Sequence, residues 1–492
     1  MTRGTARTGC GVRTCPAHAV DEIFRMTAKR LRFVDAALYA LVIGTGMRWI
    51  AVAAAVGPSS LLLWAVALLT FYLPLAAATA ELTGRFEGEG GIYAWARDGL
   101  SPMAGFLCGW FYWISLMPFF AGALVFLSGM ILSAAGLNPK DPTTTLAISG
   151  AITVGVTGLQ LAGLKYGKWL PNAGAAGMWL VFAVVIAMAI VLGVRGQAAT
   201  DFVTASYVPQ WSFGTAILWG TIMFAYSGVE AMAFLRNEIE GGLRSIVRVL
   251  VLVGAGSFVI YLGGTVALLA VLPSRALTRL LGFPDAVLRG LAHVGLVHLA
   301  GPTIALFALS MLGAFVGWFG VGAQLPFAAG LDNFLPPAFG WRHPRTGAPV
   351  AAVLLQGGVT LAIVMLSQLN STVASAYDIL VAMSIVTVAI PYLFMFATQF
   401  ACAGKPSPAD GWMPLGGAVA SRALATLGGL STLVAIGCSV LPNANDPHPL
   451  QSVLKIVLSS LGALVAGLLL YAWASRQKQH KAASRIAKGP LS

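Results

Sequence analysis

Charge is what this sequence has least of. Asp, Glu, Lys and Arg make up 10% of its 492 residues, where a soluble domain carries about 25%. A surface so poor in charge cannot be wetted on all sides. Hydrophobic residues reach 58% and mean hydropathy is +0.82, the balance of a chain dissolved largely in lipid. Cysteine is scarce as well, five in all, and forms no disulfide framework. Cys108 and Cys438 fall in apolar stretches, Cys402 lies in a loop near the inner face, and Cys10 and Cys15 sit in the N-terminal tail. With His18 the last two approach a zinc site but lack a fourth ligand. The other histidines, His293, His298, His343, His448 and His480, all lie away from the middle of any apolar run. No group of His, Asp, Glu, Cys and Ser gathers at one depth, as an intramembrane enzyme would need. Nor is there the repeated polar filter or charged ring of a channel. The expectation is no catalysis, no metal and no cofactor.

What is present is a series of long apolar runs. About twenty such residues span a bilayer as a helix. On that rule the spans are 33–56, 59–81, 104–135, 144–164, 172–194, 213–235, 247–272, 299–329, 349–366, 373–399, 423–441 and 450–474. The fold class is therefore an all-α membrane protein of about twelve transmembrane helices. Residues 1–25 hold no apolar run and so no signal peptide. Met26, directly before the basic stretch Thr27-Ala28-Lys29-Arg30-Leu31-Arg32, suggests either a true start there or a disordered tail before it. The organisation follows: a cytoplasmic tail at 1–32, a ten-helix core at 33–399, two further helices at 400–474 and a basic tail at 475–492.

The net charge of +13 raises the question of nucleic acid, and position answers it. Placing the N-terminus inside puts about 23 of the 30 Lys and Arg residues in inner loops and tails. They include Arg85, Arg97, Arg236, Arg244, Arg342, Arg422 and Arg476. Lys140, Arg195, Arg275, Arg279, Arg289 and Lys455 fall outside, and Arg48 alone lies deep in a span. This is the charge asymmetry of a multi-pass inner-membrane protein with both termini cytoplasmic. The partners expected are anionic lipid and a small solute, not nucleic acid. Two loops exceed simple connectors. Residues 83–102 carry Glu87, Gly88, Glu89, Gly90 and Gly91 before the amphipathic Ile92-Tyr93-Ala94-Trp95, a short interfacial or re-entrant helix. Residues 274–295 are its outer counterpart, a candidate lid.

Glycine marks two places where a spanning helix is interrupted. The first span contains Gly44-Thr45-Gly46-Met47-Arg48 and the sixth contains Phe224-Ala225-Tyr226-Ser227-Gly228-Val229-Glu230. A helix in lipid must satisfy its own backbone, so a break needs a reason. If the chain is two five-helix repeats, these spans correspond, and paired breaks mark a binding site. A break frees N–H groups on one half-helix, which suit a carboxylate, and C=O groups on the other, which suit an ammonium. Two facing breaks can hold an amino acid's zwitterionic head without buried side-chain charge. The competing reading is that these glycines serve close helix packing.

These segments resemble bacterial permeases of the amino acid–polyamine–organocation superfamily. Gly44-Thr45-Gly46 is similar to the Gly-x-Gly of the family's first helix, and Gly90-Gly91-Ile92-Tyr93 to its first inner loop. Phe224 to Glu230 is similar to its aromatic-Ser-Gly-x-Glu pattern. Ala323-Gln324-Leu325-Pro326-Phe327, Asp332, Leu335-Pro336, His343-Pro344-Arg345 and Pro349 look like the segment after the eighth helix. The resemblance implies the LeuT-type fold, a 5+5 inverted repeat with helices 1 and 6 broken, plus two C-terminal helices. It further implies that N–H groups around Thr45, Gly46 and Met47 take a substrate carboxylate. Carbonyls near Phe224, Ala225 and Tyr226 take its amine, with Phe224 or Tyr226 as a gate. The chain departs from the common Gly-Ser-Gly-Ile in Thr45 and Met47-Arg48, a departure that bears on side-chain preference.

Four acids touch the spans: Asp35, Glu81, Glu230 and Asp378. Asp35 and Glu81 lie near ends, where solvation is the default. Glu230, two residues past Gly228, is a candidate for a gating or proton-responsive role, or for a structural hydrogen bond in the bundle. Arg48 and Asp378 both sit roughly 8–12 Å below the outer surface, and equal depth suggests an outer gate closed by their ion pair; the alternative is that Arg48 snorkels outward and Asp378 is hydrated. Span five holds no internal lysine, and Ser310 in span eight stands between Leu309 and Met311 rather than in a sodium-binding hydroxyl pair. A proton gradient or exchange is therefore expected as the driving force. The aromatic run Trp110-Phe111-Tyr112-Trp113 could assist a cation, but the scarcity of acids near the breaks favours neutral amino acids. Polyamines, and a sensor that binds without moving its ligand, are the alternatives.

Overall fold

The computed structural model describes residues 32–33, 37, 40–41, 44–86, 91–162, 169–210, 212–236, 239–328, 331–369, 371–405, 412–414, 416–441 and 448–487. Outside them lie Cys10, Cys15, His18, Met26, Asp35, Glu87, Gly88, Glu89, Gly90, Lys165, Lys168 and most of the first half of the first span.

Apolar runs become helices because only a helix satisfies every backbone group from within when lipid surrounds it. Eleven helices among the described residues are long and apolar enough to cross a membrane. Together with the partly described first span they fit the twelve expected from hydropathy. In chain order, α1 is Arg48–Ala54, the second half of the first span, and α2 is Ser60–Arg85, with a π turn at Leu68–Tyr72. Then come α3 (Gly91–Gly99), α4 (Pro102–Ala134), α5 (Pro142–Ala162) and α6 (Trp169–Val194). The second half opens with α7 (Phe213–Ala225), a 3-10 turn at Val229–Leu235 and α8 (Gly242–Val271). It continues with α9 (Gly282–His293), α10 (Ala300–Ala328), α11 (Val350–Gln368) and α12 (Val373–Cys402). The chain ends with α13 (Gly417–Val440) and α14 (Pro449–Ala487). The last helix runs well past the expected span end at 474, into the basic tail.

Starts are written locally. Ser101 accepts from the Ala104 N–H at 3.1 Å with Pro102 at the first helical position, and Ser212 accepts from Thr215 N–H at 3.1 Å. Each supplies one missing acceptor at a helix N-terminus.

The core gathers α1, α2, α4, α7, α8 and α12 around the two breaks. Small residues set how closely helices approach. A Cβ at Gly313 of α10 would stand 2.5 Å from the Leu170 carbonyl oxygen of α6, so these backbones touch as small-residue interfaces in lipid do. The short amphipathic helix expected after α2 is α3, whose Ile92, Tyr93, Ala94 and Trp95 are buried against α4 and α12 rather than laid in a headgroup layer. The expected lid contains α9, which buries Phe283, Val287 and Leu291 and packs on α8, α10 and α1. Helices α13 and α14 lie on the flank; α14 exposes Leu450, Leu454, Leu458 and Leu469, a face suited to lipid.

Candidate functional site at the two helix breaks

At the first break Thr45, Gly46 and Met47 leave the helix, and α1 restarts at Arg48 with no side chain capping its N-terminus. The turn closes through Trp49 N–H to the Gly46 carbonyl and Ile50 N–H to the Met47 carbonyl, both 3.1 Å. A Cβ on Gly46 would stand 2.7 Å from the Trp49 Nε1, so the indole folds over a residue that must lack a side chain. The Thr45 hydroxyl donates back to the Leu41 carbonyl.

At the second break α7 ends at Ala225. Ser227 donates to the Phe224 carbonyl from its N–H at 3.0 Å and its hydroxyl at 2.5 Å. Gly228 has φ +100 with nothing within 4 Å of a built Cβ, so conformation rather than space requires glycine. The chain then enters the 3-10 turn. Past its end, Arg236 donates to the Thr83 and Phe86 carbonyls at 2.5 and 3.1 Å and so ties the second break to the C-terminal end of α2.

One hydroxyl joins the two breaks. Tyr261 of α8 accepts from the Gly46 N–H at 3.1 Å and lies 2.8 Å from the Ala225 carbonyl and 3.3 Å from the Gly44 carbonyl. With a single proton it serves one carbonyl at a time, and the shorter distance assigns it to Ala225. Its ring stacks on Trp64 at 4.3 Å and 10°. Nothing in the sequence patterns singled out Tyr261; the available signal was a lone tyrosine in an apolar span, whose hydroxyl must find a partner in lipid.

The aromatic candidates separate. Tyr226 is 1% exposed and wedged among Trp64, Tyr72 and Tyr261, so it is packing within the bundle. Phe224 meets Trp49 edge-on at 5.4 Å and Phe119 at 5.9 Å. Of the two expected gates, Phe224 is the one beside the mouth of the first break.

The acids also find their places. Glu230 is buried; its Oε1 accepts from the Tyr112 and Tyr392 hydroxyls at 2.9 Å each and its Oε2 from the Gly228 N–H at 3.0 Å. The carboxyl thus ties the second break to α4 and α12. Glu81 corrects the expectation of solvation: it is 1% exposed and accepts from Ser421 at 2.7 Å and Gln399 at 3.1 Å, with Arg85 at 3.6 Å. Helices α12 and α13 cover a position that chain order alone placed near a span end.

The expected Arg48–Asp378 ion pair is not formed. Asp378 stands 3.6 Å from Arg279, in the segment ahead of α9. Arg48 turns inward, its guanidinium carbon 4.1 Å from the Trp49 ring and 4.6 Å from the Phe119 ring. Equal depth was a necessary condition, but depth along an axis says nothing of azimuth. The lid segment then supplied a nearer cation. Around Arg279, Asp378, Tyr377, Thr221, Ser439 and Val52 lies a cavity of about 20 Å³, room for about one water.

Sequence comparison now bears on this arrangement. Residues 34–466 match the amino acid permease family. The chain belongs to the amino acid permeases. This permease is 24% identical over 430 residues to an uncharacterised transporter of Legionella pneumophila, covering 86% of this chain and 91% of the relative. It is 25% identical over 413 residues to a glutamate/gamma-aminobutyrate antiporter of Lactococcus lactis, covering 79% and 80%. With a probable agmatine/putrescine antiporter of the same species it shares 26% over 325 residues, covering 64% and 67%. Among solved structures, a variant of the manganese transporter of Eremococcus coleocola superposes with a TM-score of 0.56 at 14% identity, over 90% of this chain and 94% of that one. The permease therefore has the LeuT-type fold of the amino acid–polyamine–organocation superfamily and is a membrane transporter, not an enzyme.

Proposed function

We propose that this permease carries amino acids across the cell membrane by alternating access, with the zwitterionic head held at the paired breaks. Carboxylate goes to N–H groups around Thr45, Gly46 and Met47, and ammonium to carbonyls near Phe224, Ala225 and Tyr226. The observation that carries this reading is the Tyr261 hydroxyl, which takes a hydrogen bond from the Gly46 N–H and gives one to the Ala225 carbonyl. Donor and acceptor backbone groups of the two breaks thus converge on one point, with the polarity that an amino acid's carboxylate and ammonium require. Phe224 is the gate over that point. Glu230 holds the second break in position through Tyr112, Tyr392 and Gly228.

Both termini are cytoplasmic in this reading, because basic residues concentrate on their side. Two relatives are named as antiporters, which supports exchange as the driving mode, with a proton gradient as the alternative. A polyamine would bring further cations to a site that already holds the buried Arg48, so the amino acid reading is preferred.

Proteoliposome uptake of labelled amino acids and polyamines, with and without a proton gradient or internal exchange substrate, tests the proposal. Saturable uptake of amino acids, lost in Gly46→Leu, is the expected result. Absence of flux for every solute, from protein of demonstrated fold that nevertheless binds an amino acid, would make it a sensor instead.

A further inference from the structure

Among the described residues, Arg48 is a cation without a counterion. It is 5% exposed, and among the described residues it donates no hydrogen bond and has no carboxylate within ion-pair distance. Its contacts are the faces of Trp49 and Phe119. Both rings pack on Phe224, the residue just before the second break, and Arg48 itself follows the first break directly. The described acids of the spans are committed elsewhere. Glu230 takes two tyrosine hydroxyls and a backbone N–H, Glu81 has Ser421, Gln399 and Arg85, and Asp378 has Arg279. Two aromatic faces offset only part of the cost of burying a guanidinium, whose five donors fit a carboxylate in a fork.

A neutral amino acid seated at the breaks brings equal and opposite charges and leaves Arg48 uncompensated. A substrate with one extra negative charge neutralises the site. We infer that the permease selects amino acids bearing a second carboxylate, and that Arg48 is the residue that receives it. This deepens the reading that the breaks hold the amino acid head and rests on it. Trp49, Phe119 and Phe224 then form the walls that the side chain passes, and they exclude water from the ion pair. The neutral substrate expected from the scarcity of acids is replaced by an acidic one, because a buried cation without a partner is as informative as a buried acid.

The test compares acids with their amides. Purified permease is titrated with L-glutamate, L-aspartate, L-glutamine, L-asparagine and putrescine by thermal-shift and scintillation-proximity binding, and the same solutes are followed into proteoliposomes. The acids should bind roughly 10- to 100-fold more tightly than their amides, the range expected for a charged hydrogen-bonded pair. Arg48→Gln should abolish that preference, and Arg48→Lys should keep part of it. If Arg48→Gln fails to fold, the wild-type ratio of acid to amide and the Arg48→Lys variant decide the matter. Equal affinity for glutamate and glutamine, or an acid preference that survives in folded Arg48→Gln, overturns the inference. Binding of neutral amino acids alone overturns it while leaving the head-group site intact. No binding of any of the amino acids to folded protein overturns both.

Discussion

Replacing Tyr261 with Phe removes one oxygen and little else. The ring remains, and so does its stack on Trp64 at 4.3 Å. What is lost is the bond from the Gly46 N–H at 3.1 Å and the bond to the Ala225 carbonyl at 2.8 Å. Each orphaned group in a buried setting costs about 1–3 kcal/mol, whereas interhelical hydrogen bonds in membrane proteins average about 0.6 kcal/mol. A total of about 1–3 kcal/mol follows, and it falls on the two breaks rather than on the bundle at large. If the breaks hold the substrate head, the same loss loosens the site, and KM should rise roughly 5- to 30-fold for about 1–2 kcal/mol. Tyr72→Phe is the control. Its hydroxyl is also buried and donates to the Leu250 carbonyl at 2.5 Å, a group that belongs to neither break. It should lower the melting temperature while leaving KM within about twofold. Uptake kinetics and thermal unfolding of the two variants in parallel make the comparison. Identical KM values for Tyr261→Phe, Tyr72→Phe and wild type would refute the reasoning, since a hydroxyl bridging the binding elements could not then be removed without consequence.

Three further experiments test other parts of the arrangement. Gly228→Ala keeps space, because nothing lies within 4 Å of the added carbon, but forces a φ of +100 on a residue that disfavours it; about 1–2 kcal/mol of destabilisation and a marked loss of uptake are expected, checked by thermal unfolding and flux. Glu230→Gln sets an amide donor among three donors, from Tyr112, Tyr392 and the Gly228 N–H, and should cost about 1–3 kcal/mol of stability; a melting temperature equal to wild type would show that the carboxyl does not hold the break. Arg279→Gln and Asp378→Asn break a partly exposed pair, so a double-mutant cycle should give a coupling of about 0.2–1 kcal/mol, weakening as salt rises.

Much of the architecture was readable because membrane folding is written in local terms. Length and hydropathy located the spans, since a helix crossing lipid answers only to its own backbone and its own twenty or so residues. The interruption of the sixth span between Ala225 and Val229 was legible for the same reason: glycine at a required positive φ is a property of one residue. The pairing of side chains was not legible. Counting residues along the spans put Arg48 and Asp378 at equal depth, yet the pair is Arg279–Asp378, because the segment before α9 brings Arg279 to Asp378. Tyr226 and Phe224 are two residues apart in one motif, yet one is sealed among Trp64, Tyr72 and Tyr261 and the other faces Trp49 and Phe119. Two residues along a helix is about 200° of rotation, so neighbours in sequence look in opposite directions.

The sequence by itself determined that this chain lies in lipid, roughly where it crosses, and where the crossing helices break, because each of those follows from the solvent and from the backbone of a short segment. Only the tertiary structure decided that Tyr261 joins the breaks, that Glu230 and Glu81 are satisfied from distant helices, and that Arg48 faces aromatic walls with no acid among the described residues beside it. Those outcomes depend on which faces of separate helices meet, and azimuth and inter-helix distance are set by the packing of the whole bundle rather than by any run of residues within it.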